Sequence, residues 1–266
     1  MPVSVSSIYR YPVKGLSPEF LARVTLAPGE CLPHDRRFAL ARAATQFDPA
    51  HPAWLPKSNF FMLMRDEVLA QLRTRFDEAS GMLTVERDGK TVLRSRLTDA
   101  AECSTINAFF AEFLKDAPGN PPRVVEAPGH TFSDAKQKPN ATTYKYVSFV
   151  NLASIEALEK VMQVPVDPLR FRANVYMSGL PAWNERDWVG SEIRAGNARL
   201  RVVSPITRCA ATSVNPATAE RDLNIPAILQ KEFGHNCMGV YAEVVAGGEV
   251  AKNDRVGRTD NAWRIE

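Results

Sequence analysis

The chain has 266 residues and a formal net charge of +3 at pH 7, from 33 Lys and Arg against 30 Asp and Glu. So small a charge excludes the strongly basic composition typical of nucleic-acid-binding proteins, and we predict no nucleic-acid partner. With 45% hydrophobic and 24% charged residues, the chain is expected to bury one large or two moderate cores, and its 19 prolines favour turns and short strands.

The first hundred residues are predicted to form short strands with helices packed on them. Residues 3–9, 24–26 and 38–40 are β-compatible, and residues 82–87 and 91–95 flank Asp88-Gly89, a pair typical of hairpin turns. Apolar residues at helical spacing predict one helix over residues 68–76 and another over residues 106–114.

Prolines and glycines concentrate after residue 115, so we place a domain boundary between about 115 and 142 and divide the chain into residues 1–120 and 121–266. Beyond it, strands are predicted at residues 146–150, 169–177, 200–204 and 240–245. A helix capped by Asn151 or Ser154 and a second one ending before Gly234 lie between them. The class predicted is mainly β with some α (α+β).

The four cysteines, Cys31, Cys103, Cys209 and Cys237, contain no Cys-x-x-Cys pair, so they predict neither a zinc site nor an iron–sulfur cluster. The first residues show no export signal, and no stretch reaches 18 apolar residues, so we expect a cytoplasmic protein that makes no membrane contact. The four histidines lack an i, i+4 pair, which argues against a histidine metal site.

The most informative stretch is residues 204–216, where Cys209 follows a predicted strand. Arg208 is placed to stabilise a thiolate there, and Thr207 and Thr212 offer hydrogen-bonding groups. A lone cysteine is more often a packing residue, so this stretch by itself leaves both interpretations open.

Several short motifs in order resemble the MOSC-domain proteins, in particular the branch that contains the mitochondrial amidoxime-reducing component and bacterial N-hydroxylaminopurine-resistance proteins. The motifs are Tyr11-Pro12-Val13-Lys14-Gly15, Asp35-Arg36, Arg170-Phe171-Arg172-Ala173-Asn174, and Arg208-Cys209 with Thr212. They extend over nearly the whole chain. Several matches in the family's order are more specific than any one of them.

The resemblance implies an N-terminal β-barrel domain and a MOSC β-barrel domain that bind the molybdenum cofactor (Mo-molybdopterin) between them. It makes Cys209 the catalytic residue and the metal ligand, since a thiolate suits a sulfur-rich metal site. Cationic residues are expected to hold the cofactor's phosphate, and polar groups its pterin. The implied cofactor-binding residues are Lys14, Gly15, Arg36, Asn151, Ser154, Arg172, Asn174, Thr207, Arg208 and Thr212.

The activity implied by the resemblance is the reduction of N-hydroxylated compounds, such as amidoximes, hydroxylamines and N-hydroxylated bases, to amines. Because the cysteines are too widely spaced to hold a cluster, electrons are expected from a separate ferredoxin or flavin reductase. Two alternatives stay open. Cys209 carries a persulfide or the cofactor for delivery to another enzyme, or the chain is a binding module in which Cys209 only packs.

The chain departs from the family pattern at two places that bear on these alternatives. Gly15 stands where the family commonly has serine, which removes a hydroxyl group but leaves a backbone N–H. In Glu185-Arg186-Asp187-Trp188 a cation interrupts the family's acidic pair, and this change favours the carrier alternative.

Overall fold

A computed structural model describes residues 2–135 and 145–259. These residues form an α+β structure, which confirms the predicted class. The helices are α1 (Ala100–Phe113), α2 (Leu152–Met162) and α3 (Ile225–Phe233). The strands are β1 (Ser4–Arg10), β2 (Glu19–Leu21), β3 (Arg23–Leu26), β4 (Ala39–Ala41), β5 (Arg73–Asp77), β6 (Met82–Arg87), β7 (Lys90–Arg96), β8 (Arg123–Val125), β9 (Val147–Asn151), β10 (Val175–Ser178), β11 (Glu192–Ala195), β12 (Ala198–Thr207), β13 (Cys237–Ala246), β14 (Gly248–Ala251) and β15 (Val256–Arg258).

The largest sheet has eight strands in the order β15-β11-β12-β13-β9-β10-β1-β2, and only β9 and β10 pair in parallel. It curls until its ends meet, because the Val5 amide donates to the Asp254 carbonyl and the Val256 amide donates to the Val3 carbonyl, both at 2.9 Å. Closing a sheet in this way leaves fewer unpaired strand edges. Its interior is filled by apolar side chains such as Ile8, Phe149 and Leu200.

Two smaller groups of elements complete the N-terminal part. Strands β5, β6 and β7 form an antiparallel sheet against which α1 packs through Ile106 and Phe110, and β4 pairs with β8. The division of the chain at residue 120 stays a prediction. The pairing shows that β1 belongs to the same sheet as β10, and that β3 pairs with β14.

Two element predictions were wrong for physical reasons that the structure shows. The helix over residues 68–76 is a single 3-10 turn, Glu67–Gln71, followed by β5. Leu72 and Phe76 are four residues apart, a spacing that places them on one face of a helix and also on one face of a strand. In residues 169–177, Pro168–Phe171 forms a 3-10 turn and the strand begins only at Val175, after Arg172 in the left-handed conformation.

Candidate functional site

One cavity of about 810 Å³ contains most of the predicted site residues. Those that line it are Lys14, Gly15, Arg36, Arg172, Asn174, Thr207, Arg208, Cys209 and Thr212. Its walls come from distant parts of the sequence, from the segments after β1 and β3 to the end of β12. The fold therefore brings together motifs that the sequence showed only as separate matches.

Charge distinguishes this cavity. Its cationic lining residues are Lys14, Arg36, Lys57, Arg170, Arg172 and Arg208, and its acidic ones are Asp35 and Asp134. Arg170 is buried, and its guanidinium donates to Asp222 at 2.7 Å and to the Ser213 carbonyl at 3.3 Å, which leaves Nε without a partner among the described residues. An excess of fixed cations in a concave site attracts anions, so the expected ligand carries negative charge.

Tyr11 organises two of these cations. The guanidinium groups of Arg36 and Arg172 lie 4.8 and 4.3 Å from the centroid of its fully buried ring, and Arg36 Nη2 donates to the Arg172 carbonyl at 2.9 Å. Burial lowers the pKa of Arg172 to about 10, and the neighbouring charge of Arg36 acts in the same direction. Burial also acts to lower the pKa of Arg36, but the adjoining Asp35 carboxylate outweighs it and raises the pKa.

Lys14 is the third cation of this group, and its side chain is buried. Its ammonium donates to the Phe132 carbonyl at 2.8 Å and forms an ion pair with Asp134. Burial lowers the pKa of Lys14, and Asp134 opposes that effect. The next residue, Gly15, has φ +83°, and a Cβ there would lie 3.1 Å from the Phe61 carbonyl oxygen, so glycine suits this backbone. The site therefore explains the first departure from the family pattern.

Cys209 lies at the end of β12, where the chain enters the 3-10 turn Ala210–Ser213. The Thr212 amide and hydroxyl donate to the Cys209 carbonyl at 3.0 and 2.9 Å, which fixes the backbone. The thiol is half-buried, and Sγ makes no hydrogen bond within the described residues. Arg208 donates to the carbonyls of Met238 and Phe171, so it positions the cysteine backbone rather than offering a free guanidinium.

Arg221, which the sequence analysis did not identify, connects this turn to the N-terminal part of the chain. Its guanidinium donates to the carbonyls of Ala210 at 3.0 Å, Leu63 at 3.0 Å and Met64 at 2.9 Å, and it forms an ion pair with Glu67 at 2.9 Å. One side chain thus holds Met64 close to the residue that follows Cys209. No sequence motif marked this role, because the contact joins positions more than 140 residues apart.

Two of the predicted cofactor-binding residues lie elsewhere. Asn151 caps α2, and its amide donates to the buried Glu185 carboxylate at 3.3 Å, while the Ser154 hydroxyl donates to Glu185 at 2.9 Å. Burial raises the pKa of Glu185 despite these hydrogen bonds. Neither residue lines the cavity, so we leave both out of the proposed site. Glu185 therefore belongs to a buried network with Asn151 and Ser154, and the carrier alternative stays a prediction.

Asn174 and Thr207 both line the cavity, but their side chains differ in how many hydrogen bonds they already make. The buried Asn174 accepts from the amide and hydroxyl of Ser148 at 3.1 and 2.8 Å and donates to the Tyr9 carbonyl at 3.2 Å, so its side chain connects β9 to β1. Thr207 is exposed, and its hydroxyl lies 3.9 Å from Cys237 Sγ. Thr207 is therefore the freer of the two to bind a ligand.

Cys31 and Trp54 also line the cavity without having been predicted to do so. Burial raises the pKa of the Cys31 thiol to about 12, so this cysteine stays protonated at neutral pH, unlike the thiolate that a metal requires. Trp54 lies between Pro52 and Pro56 in a loop. A large aromatic residue in a proline-rich loop is the sequence feature that could have indicated a binding role.

Comparison with known proteins identifies one domain of the chain. Residues 130–257 match the family model of the MOSC domain. This part of the chain is therefore a MOSC domain, as the resemblance predicted. A 70-residue segment is 36% identical to mitochondrial amidoxime-reducing component 1 of Xenopus laevis; the match covers 26% of this chain and 20% of that protein. The chain thus spans about a fifth of the length of this curated relative.

Solved structures of similar proteins include the YuaD protein from Bacillus subtilis, with 14% identity, 96% of this chain and 94% of that chain covered, and a TM-score of 0.45. YiiM from Geobacillus stearothermophilus has 18% identity over 42% of this chain and 53% of its own, with a TM-score of 0.35. Among residues 2–135 and 145–259, no helix has the length and apolar character to cross a membrane, and no three His, Cys, Asp or Glu residues cluster as a metal site would require.

Proposed function

We propose that this protein binds the molybdenum cofactor and reduces N-hydroxylated compounds, such as amidoximes, hydroxylamines and N-hydroxylated bases, to amines. The observation that carries the proposal is one cavity that combines an excess of fixed cations with the half-buried thiol of Cys209. The match to the MOSC domain and the segment similar to an amidoxime-reducing component support the same function.

The described residues fit the chemistry of the cofactor. Its phosphate is a dianion or monoanion, and Lys14, Arg36 and Arg172 form a preorganised group of cations in which Lys14 is buried and the two arginines are partly buried. Cys209 Sγ would add one soft sulfur ligand to those that the pterin supplies, so a cluster of protein ligands is not needed. Thr207 and Thr212 are the hydroxyl-bearing residues beside the cysteine.

When bound, the cofactor would supply two electrons for cleavage of the N–O bond, so that the N-hydroxy compound, two electrons and two protons give the amine and water. The chain's own contribution is to bind and orient. Arg208 and Thr212 hold the backbone of Cys209. Arg221 holds Leu63 and Met64 close to the turn that follows Cys209. Asp134 pairs with Lys14 and stays ionised, because, although burial acts to raise the pKa of this carboxyl, the ammonium of Lys14 holds it below its ordinary value.

The electrons would come from a separate ferredoxin or flavin reductase, since the four cysteines of this sequence are too far apart to form a cluster of their own. The other partner is the small-molecule substrate. We propose no contact with nucleic acid or membrane, because the net charge is small and no apolar span occurs in the part of the chain that the structure describes.

The proposal is tested on protein purified from a host that makes the cofactor. We expect close to one molybdenum atom per chain, and turnover of an N-hydroxylated substrate when a reduced viologen dye supplies electrons. Metal content below about a tenth of an equivalent would contradict the proposal. Turnover with NADH alone would contradict the need for a separate electron donor, and release of sulfur from Cys209 by cyanide would instead indicate a persulfide carrier.

A further inference from the structure

A group of apolar residues also lines the same cavity, and its role is not explained by binding an anion. We call it the apolar wall, and its residues are Trp54, Pro56, Met62, Leu63 and Met64. These residues come from one short stretch of the N-terminal part, which also carries Lys57, whereas the other cations come mainly from the segments after β1 and β3 and from residues 170–172. The cavity therefore offers apolar contacts as well as cations.

Two contacts place the apolar wall relative to the cations and to Cys209. A Cβ on Gly15 would lie 3.2 Å from Met62 Cα, so this end of the wall adjoins Lys14. At the other end, Arg221 holds the Met64 carbonyl and the Ala210 carbonyl with a single guanidinium, at 2.9 and 3.0 Å. Met62 therefore adjoins the cationic group, and Met64 adjoins the turn that carries Cys209.

Trp54 is the residue of the wall that is best placed to contact a ligand. It is 36% exposed although it lines a cavity, and its indole makes neither a hydrogen bond nor a ring contact with another described residue. An indole presents a large rigid surface at little cost in conformational entropy. The thioethers of Met62 and Met64 adapt their shape to a flat apolar group and make favourable contacts with aromatic rings.

The chemistry of the apolar wall and of the cations determines what kind of substrate fits. A substrate has to place its N–OH group next to Cys209, and the rest of the molecule then lies against the wall that Arg221 holds there. A positively charged substituent would be disfavoured near the cations, and an anionic one would compete for the positions of the phosphate. A flat, uncharged, apolar substituent has neither disadvantage.

We infer that Trp54 is a specificity-determining residue that stacks on the flat apolar substituent of an uncharged N-hydroxylated substrate. The inference rests on the proposed function for the identity of the reacting group, but the binding contact itself does not require turnover. Stacking on an aromatic side chain is expected to change affinity by roughly 5- to 150-fold.

The test compares benzamidoxime with acetamidoxime, which share the reacting group and differ in a phenyl against a methyl substituent. Binding to the cofactor-loaded protein is measured by calorimetry without a reductant, so that no turnover occurs, and kcat/KM is measured with reduced viologen. For Trp54→Ala we expect about tenfold weaker binding and about tenfold lower kcat/KM for benzamidoxime, with less than about twofold change for acetamidoxime. Trp54→Phe should retain most of the preference.

Phe20→Ala is the matched control, because Phe20 is a 55% exposed aromatic residue that does not line the cavity, and it should change neither substrate. Equal losses for both substrates in Trp54→Ala, or no loss, would overturn the inference. Trp54-dependent binding of benzamidoxime by a protein that reduces neither substrate would refute the proposed function and support the inference. Turnover of both substrates that does not change in the Trp54→Ala variant would support the proposed function and refute the inference.

Discussion

Replacing Tyr11 by leucine should remove the surface on which two cations of the site are held. The ring is fully buried, and the guanidinium groups of Arg36 and Arg172 lie 4.8 and 4.3 Å from its centroid. A desolvated cation–π contact is worth about 1–2 kcal/mol, so the two contacts together account for about 2–4 kcal/mol of unfolding free energy. The repulsion between the two guanidinium groups would then be less well offset.

The control is Tyr11→Phe, which keeps the ring and removes the hydroxyl, with its hydrogen bond of 3.4 Å to the Ala173 carbonyl and its contact with the Tyr176 hydroxyl. Unfolding in urea should show a loss of about 2–4 kcal/mol for the leucine variant and less than about 1 kcal/mol for phenylalanine. Titration with inorganic pyrophosphate should show at least about tenfold weaker binding to the leucine variant only. Equal pyrophosphate affinity in the two variants would refute the reasoning that Tyr11 preorganises these cations.

Three further predictions follow from other contacts of the site. Arg221→Met should lower the free energy of unfolding in urea by about 1–3 kcal/mol, because the variant loses charge-assisted hydrogen bonds to three carbonyls. A loss below about 0.5 kcal/mol would contradict the role of Arg221 in connecting the Cys209 turn to residues 63–64. Pyrophosphate affinity should fall as the pH rises towards about 10, because burial lowers the pKa of Lys14 as well as that of Arg172, the latter to about 10, and a flat profile there would contradict both lowered pKa values. Burial raises the pKa of Glu185, so its stabilising contribution is full below the unfolded-state pKa and is lost as the pH rises through the folded-state pKa. The unfolding free energy of the natural protein relative to that of Glu185→Gln should therefore be greater at pH 4 than at pH 8. The opposite trend would contradict this assignment.

The local patterns of the sequence predicted a large part of the fold. The hairpin at Asp88-Gly89 and the end of α3 at Gly234 were found because their turn chemistry needs a left-handed backbone that glycine supplies. The segment over residues 68–76 was mistaken for a helix because the spacing of its buried residues fits both helical and strand periods. Closure of the large sheet by residues 253–256 against β1 was beyond any local pattern, since it joins the two ends of the chain.

The candidate site was predictable where short motifs carry it. Lys14, Arg36, Arg172 and Cys209 were identified from motifs, and the structure brings them to one cavity. Asn151 and Ser154 have the same polar chemistry as the residues that line the cavity, but in the structure they donate hydrogen bonds to Glu185 and do not line it. The roles of Trp54 and Arg221 depend on contacts between distant segments, which no motif records.

The central claim is that Cys209, and not Cys237, completes the site. Cys209 lines the cavity, whereas Cys237 begins β13 and is not among the lining residues, and its sulfur lies 3.9 Å from the Thr207 hydroxyl. The decisive measurement is molybdenum per chain, with melting temperature, for Cys209→Ala and Cys237→Ala from a cofactor-producing host. We predict that Cys209→Ala loses the metal and keeps its melting temperature, while Cys237→Ala keeps the metal and loses at most about 1–2 kcal/mol of stability. Metal retained in Cys209→Ala and lost in Cys237→Ala would contradict the account.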